Sequence, residues 1–240
     1  MSSVLFEIKN SIAFITLNRP EKLNSFNREM ALELQQKLDA CNTSPEVRCV
    51  YLTGMGKAFS AGQDLGEVLD VSGMTMQRIL MEQFNPIVSK IRKLEKPVVA
   101  AVNGVAAGAG ANIALCCDII VAASSASFIQ AFSKIGLVPD SGGTFMLPRL
   151  IGWQKASAFM MLGDKILADE AEKYGMLYKV FSDNVFSAES IKIATTLAAM
   201  PTLGLAFTKQ AFNASFNTSF DATLKVDDTL QSAAPLTQAE

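Results

Sequence analysis

Three short apolar runs constrain this chain most: RCVYLTG (48–54), PVVAAVNG (97–104) and IIVAAS (119–124). Each has the length of a strand and lacks polar alternation, the pattern of strands buried on both faces. Helix-patterned segments separate them. NREMALELQQKLDACN (27–42) sets Met30, Leu34 and Leu38 on one face, flanked by Ala31 and Leu32, and Asn27 can cap its start. MTMQRILMEQFNPIVSKIRKLEK (74–96) has a helical pattern with Pro86 as an expected kink or break. ANIALCCD (111–118) also reads as helical. The alternation predicts an α/β fold with a largely parallel sheet. VLFEIKN and SIAFITLN (4–18) alternate around Asn10-Ser11 and predict a hairpin, while RPEKLNSFN and KAFSAGQDL read as loops. Strand signals fade after about residue 185. We therefore expect a core over 1–185 and a helical C-terminal region over 186–240.

Composition removes several kinds of chemistry. Among 240 residues there is no histidine, which excludes Ser-His-Asp and Cys-His catalysis and disfavours a zinc site. A base must be Asp, Glu, Lys, Tyr or a thiolate. Net charge is −2, so a nucleic-acid footprint is absent, and no apolar run reaches membrane-spanning length. Cys41, Cys49, Cys116 and Cys117 form no CxxC pair. They are expected to be structural thiols of a reduced, cytoplasmic protein. The N-terminus lacks the basic start and apolar block of a signal peptide.

The glycines match no nucleotide motif. GMGKAFS (54–60) lacks GxxxxGK[ST] spacing, and Ile113 stands where the run from Gly108 would need its third glycine. Both segments instead place small residues in a turn after an apolar strand, where ligand sites of α/β sheets gather. Small residues let backbone approach a ligand, and a helix starting near Gly110 would aim N–H groups there. Two such donors make an oxyanion hole, worth about 2.7–4 kcal/mol per donor in the transition state. On composition alone, close helix–strand packing accounts for the same run.

Four stretches in this order carry a resemblance: KAFSAGQDL (57–65), KPVVAAVNGVAAGAGANIALCCDIIVAA (96–123), SKIGLVPDSGGTFMLPRLIG (133–152) and GDKILADEAEKYGMLYKVF (163–181). Together the chain resembles the enoyl-CoA hydratase/isomerase (crotonase) family from residue 4 to about 230. The resemblance implies a spiral of β-β-α turns with C-terminal helices that mediate a homotrimer, or a hexamer as a dimer of trimers. It implies an acyl-CoA thioester as substrate and no separate cofactor or metal, coenzyme A being part of the substrate. The thioester oxygen is expected to accept from the backbone N–H groups of Gln63 and Ala109. Coenzyme A is expected against the loop holding Lys22 and Leu23 and the segment Ser60, Ala61, Asp64 and Leu65, with Lys57 as a further phosphate neighbour. Gly108, Asn112 and Phe132 are expected to line the acyl pocket.

The chain departs from the family's hydratases at two positions. Where they carry a pair of water-holding glutamates, this chain has Asn112 and Phe132. One carboxylate falls where family isomerases carry their acid/base, Asp140 in GLVPDSGG. Without the resemblance, Pro-Asp-Ser-Gly-Gly (139–143) is simply a turn. With it, Asp140 beside Val138 is expected to be partly desolvated and basic enough for a 1,3-proton shift. The wording is closest to the branch that holds the phenylacetate-pathway ring-epoxide isomerase, so either a Δ3,Δ2-enoyl-CoA or 1,2-epoxyphenylacetyl-CoA fits. Hydration, or acyl-CoA binding without chemistry, are the alternatives. Met160 and Met161 are expected in the core, Trp153 packed near a helix start, Glu82 and Asp70 on a solvated face, and Asp118 at a helix end or strand start. The ending QSAAPLTQAE departs from the usual last family helix, which leaves the expected oligomer closure open.

Overall fold

The computed structural model describes residues 2–68 and 75–234. β1 (Val4–Lys9) and β2 (Ile12–Leu17) form the expected antiparallel hairpin. Its turn residues Asn10 and Ser11 have φ of 51° and 60°, the left-handed pair that a two-residue hairpin loop uses. α1 (Arg28–Thr43) follows, and the Asn27 side chain accepts from the Met30 N–H at 3.0 Å, as a cap should.

From there the chain winds in repeated turns. β3 (Cys49–Gly54) leads to β4 (Ala58–Ser60) and then α2 (Leu65–Val68), α3 (Met76–Ile79) and α4 (Asn85–Lys93). β5 (Val98–Val102) leads to β6 (Val105–Ala107) and α5 (Ala109–Leu115). β7 (Ile119–Ala123) leads to β8 (Ser127–Ile129), α6 (Gly143–Ile151) and α7 (Trp153–Leu162). β9 (Lys165–Leu167), α8 (Ala168–Lys173) and β10 (Lys179–Phe181) close the spiral. β1-β2-β3-β5-β7-β10 make one six-stranded sheet and β4-β6-β8-β9 a second sheet of four. Pairing is parallel except at β1–β2 and β8–β9. This is the spiral of β-β-α turns that the resemblance implies. β3, β5 and β7 are almost wholly buried, which is why they read as continuous apolar runs.

The second sheet is where the sequence reading needs correction. KAFSAGQDL is not all loop: Ala58–Ser60 is strand β4. VAA at 105–107 is strand β6, whereas α5 begins at Ala109, next to Gly110 as expected. Three-residue strands are too short to show a period. Pro86 does not break its helix. It lacks the N–H that Glu82 O would accept, and the chain instead forms a π turn over Leu80–Phe84. The Gln35 side-chain amide donates to the carbonyls of Glu82 at 2.9 Å and Gln83 at 3.1 Å. That satisfies what the proline leaves open.

α9 (Asp183–Ala199), α10 (Thr202–Ser215) and α11 (Phe220–Ala233) supply the helical C-terminal region. α9 rests on the large sheet and buries Phe186, Ser190, Ala194 and Ala198. The expected division at 185/186 falls inside its first turn. α10 is held by charge: Lys209 Nζ donates to Asp118 at 2.7 Å, and Arg92 donates to the other oxygen of Asp118 at 3.2 Å. Asp118 thus precedes β7, as expected, and also ties a helix to the sheet. The four cysteines are free and buried; burial pushes Cys41, Cys49 and Cys116 up to about 12, and Cys117 well above its ordinary value. Met161 is 73% exposed, not core, and Met160 is half-buried. Trp153 starts α7 but is exposed rather than packed. Glu82 is ion-paired with Arg28 and Arg78 rather than simply solvated. Asp70 and Met74 lie outside the described residues, as do 235–240.

Candidate active site

The ends of β4 and β6 turn toward one another. Gly62, after β4, has φ +88°, and a Cβ there would lie 2.7 Å from Ala107 O and 3.3 Å from Ala109 N. Only a residue without a side chain allows that approach. Phe26 N–H donates to Gly62 O, and Asp64 N–H donates to Phe26 O, so residues 62–64 are pinned to the segment before α1. Among the described residues no protein acceptor takes the N–H of Gln63 or of Ala109. Ala109 is the first residue of α5, where an N–H has no intrahelical partner.

Both residues border one cavity of about 420 Å³. Lys22, Ala61, Gln63, Asp64, Leu65, Gly108, Ala109, Phe132 and Asp140 line it together. Residues brought from five separate segments of sequence therefore share one space. The same walls hold Ser25, Met76, Phe84, Ala107, Ala131, Ile135 and Leu137. Sequence reasoning missed these; all but Ser25 are apolar, and Phe84 reaches the wall from the π turn, a feature with no sequence period.

Four expected residues lie elsewhere. Ser60 is fully buried and shapes the turn, its hydroxyl donating to Asn24 O at 2.8 Å and accepting from Gly62 N–H at 3.1 Å. Leu23 is exposed, with φ +50°, and its carbonyl accepts from Ala61 N–H at 2.9 Å. Asn112 is fully buried behind the wall, donating to Asp140 O at 2.8 Å. Lys57 is exposed in the turn before β4 and does not border the cavity.

Two carboxylates line the cavity, and their surroundings differ. Asp64 pairs with Arg19 at 3.0 Å and accepts from Gly66 N–H. Asp140 has no ion pair among the described residues; the Ser141 hydroxyl donates to its Oδ1 at 2.7 Å. Burial raises the Asp140 carboxyl above its ordinary value, and the Ser141 hydrogen bond only partly opposes this. Val138 does not supply that burial, because it is 76% exposed. Phe132 faces the same cavity, apolar and buried. A larger cavity of about 530 Å³ lies against α10, and none of the sequence-predicted site residues borders it.

Two free backbone donors and one unpaired carboxylate around an apolar space make a site suited to forming and reprotonating an enolate. The comparisons give that arrangement its family. The family described as "Enoyl-CoA hydratase/isomerase" matches residues 7–239, and the chain belongs to it. The chain is 42% identical to a 1,2-epoxyphenylacetyl-CoA isomerase of Escherichia coli (strain K12), over 98% of this chain and 90% of that one. It is 34% identical to a crotonyl-CoA hydratase of Syntrophomonas wolfei, over 94% and 86%. A crystal structure of an enoyl-CoA hydratase from Bacillus anthracis superposes with a TM-score of 0.89 at 30% identity, covering 97% of this chain and 90% of that one. Hydratase is the more frequent name among such relatives.

Proposed function

We propose that this chain is an acyl-CoA isomerase that works through a thioester enolate with Asp140 as its acid/base. The carrying observation is the asymmetry of the cavity: its one carboxylate without an ion pair, among the described residues, is Asp140. For a 3-enoyl thioester, Asp140 takes a proton from C2. The electrons of that bond move onto the carbonyl oxygen, held by the N–H groups of Gln63 and Ala109. They return as a C2–C3 double bond while C4 takes the proton back from Asp140. No water enters, and mass is unchanged. The same site suits rearrangement of 1,2-epoxyphenylacetyl-CoA to its oxepin isomer, a reading supported by the name of the Escherichia coli relative. Lys22, Ala61, Asp64 and Leu65 would flank the coenzyme A end, and Gly108 and Phe132 the acyl end.

Hydration is the second reading, favoured by the names of most relatives. It needs a group to hold and split water, and Phe132 offers none at the position where the resemblance expects a glutamate. Incubation with a short 3-enoyl-CoA and its 2-enoyl isomer separates the two: isomerisation conserves mass, whereas hydration adds one water. We also read α10 and α11 as the self-association surface of a trimer or a dimer of trimers. α11 buries no residue, and Phe212, Phe220 and Leu224 are exposed. Light scattering of the purified protein tests this.

A further inference from the structure

Asn112 is the point where three segments meet. It lies in α5, is wholly buried, and donates from Nδ2 to the carbonyl oxygen of Asp140 at 2.8 Å. Its Oδ1 accepts from Gln130 Nε2 at 2.6 Å, and Gln130, just past β8, is also wholly buried. The far side of the turn rests on it as well: a Cβ on Gly143 would come within 2.4–2.5 Å of the Asn112 amide group. A peptide oxygen only accepts, so the atom facing Asp140 O must be the donor Nδ2, and Gln130 then has to offer its own donor to Oδ1.

We infer that Asn112 is a positioning residue: its amide, oriented by Gln130, holds the Asp140 peptide so that the carboxyl group faces the cavity in one direction. This rests on the reading of Asp140 given above. The carbonyl is gripped twice, by Asn112 and by Gly143 N–H at 2.9 Å. Ser141, at φ +51° and buried, then turns its hydroxyl back onto Asp140 Oδ1. The Ser141 hydroxyl and Asp140's own N–H hold the carboxyl group from the protein side, and with no ion pair among the described residues it remains free to exchange a proton with substrate on the cavity side. A carboxylate at 112 could not do this work. Ionised, it has no donor and would face the Asp140 carbonyl oxygen, acceptor against acceptor. A donor at 112 therefore serves an acid/base at 140, and Asn112 is not merely the loss of a glutamate.

The test compares Asn112→Asp, nearly isosteric, and Asn112→Ala with the parent and with Asp140→Asn. Steady-state isomerase kinetics would be followed from pH 4 to pH 9 as a chosen assay range of about five units, spanning ordinary carboxyl values. The other ionisable groups on the cavity are Lys22 and Asp64, and Asp64 is already paired with Arg19. Misplacing a reacting group by an ångström can cost about 100-fold. Asn112→Asp is expected to lower kcat by about 10–100-fold with little change in KM. Its acid limb should move to higher pH, because a second anion disfavours ionisation of Asp140. Asn112→Ala should move that limb to lower pH, as water reaches Asp140. A purely structural role would scale kcat at every pH and leave the limb in place. Folded variants with parental kcat and an unmoved limb would overturn the inference. Should Asn112→Asp not fold, Asn112→Ala and Gln130→Met carry the same comparison. If the parent itself shows no proton shift, the proposed function fails instead. Carboxyl NMR titration of Asp140 in the parent and Asn112→Ala would then still decide the positioning claim, with an unmoved Asp140 titration refuting it.

Discussion

Gly62→Ala is a severe test of the backbone donors, because it adds a single carbon at their junction. That carbon would lie 2.7 Å from Ala107 O and 3.3 Å from Ala109 N. Ordinary carbon–oxygen contact is several tenths of an ångström longer, so the β6–α5 turn must retreat or Gly62 must leave φ +88°. Overpacking of this kind costs about 1–3 kcal/mol, and the strained φ adds about 1–2 kcal/mol. That lies within a typical stability of about 5–15 kcal/mol, so the variant should still fold. Either relaxation displaces Gln63 N–H from Ala109 N–H. Loss of one such donor lowers kcat by about 100–1,000-fold, and that is the expected drop. Affinity for free coenzyme A should fall much less than kcat, because Lys22 and Leu65 lie outside the junction even though Ala61 and Asp64 flank it. Stopped assays for kcat, calorimetry for coenzyme A and a thermal melt for folding make the comparison. A folded Gly62→Ala variant with near-parental kcat would refute the role given to these donors.

Two further outcomes concern stability. Asp118→Asn should cost about 3–5 kcal/mol in urea unfolding, because it removes the carboxylate that pairs the buried Lys209 ammonium and leaves that charge only the Lys96 carbonyl and a neutral amide. Lys209→Met should cost less, since Asp118 keeps Arg92 and the Val98 N–H; equal or reversed costs would contradict the asymmetry. Burial raises the folded Asp140 carboxyl, so its neutral form favours folding at low pH and that contribution is lost as pH rises through the raised value. Asp140→Asn should therefore melt higher than the parent at pH 7, as a chosen pH about three units above the ordinary carboxyl value, with the gap narrowing on acidification. A gap that widens on acidification would show the sign to be wrong.

The large sheet was legible because its strands are buried on both faces, so RCVYLTG, PVVAAVNG and IIVAAS stand out as unbroken apolar runs. The small sheet was not. Its strands at 58–60, 105–107 and 127–129 are three residues each, and two of them lie inside small-residue runs that look like turns. Gln63, Ala109, Phe132 and Asp140 were named from motifs and do share a cavity. Asn112 was expected in the wall and lies behind it, because the sequence shows an amide near the site but not which carbonyl it meets. The burial of Asp140 was anticipated from the wrong neighbour, since sequence adjacency to Val138 says nothing about which way that side chain points. Phe84 and Leu137 gave no signal beyond being apolar.

The central claim is one carboxylate moving one proton. The measurement that reaches it most directly is conversion of a short 3-enoyl-CoA, followed by chromatography and mass spectrometry, in the parent and in Asp140→Asn. The account predicts a 2-enoyl product of unchanged mass, formed at a rate that falls by at least about 100-fold in the variant, the usual scale of acid/base catalysis. A product heavier by one water, or isomerisation undiminished without the Asp140 carboxylate, would contradict it.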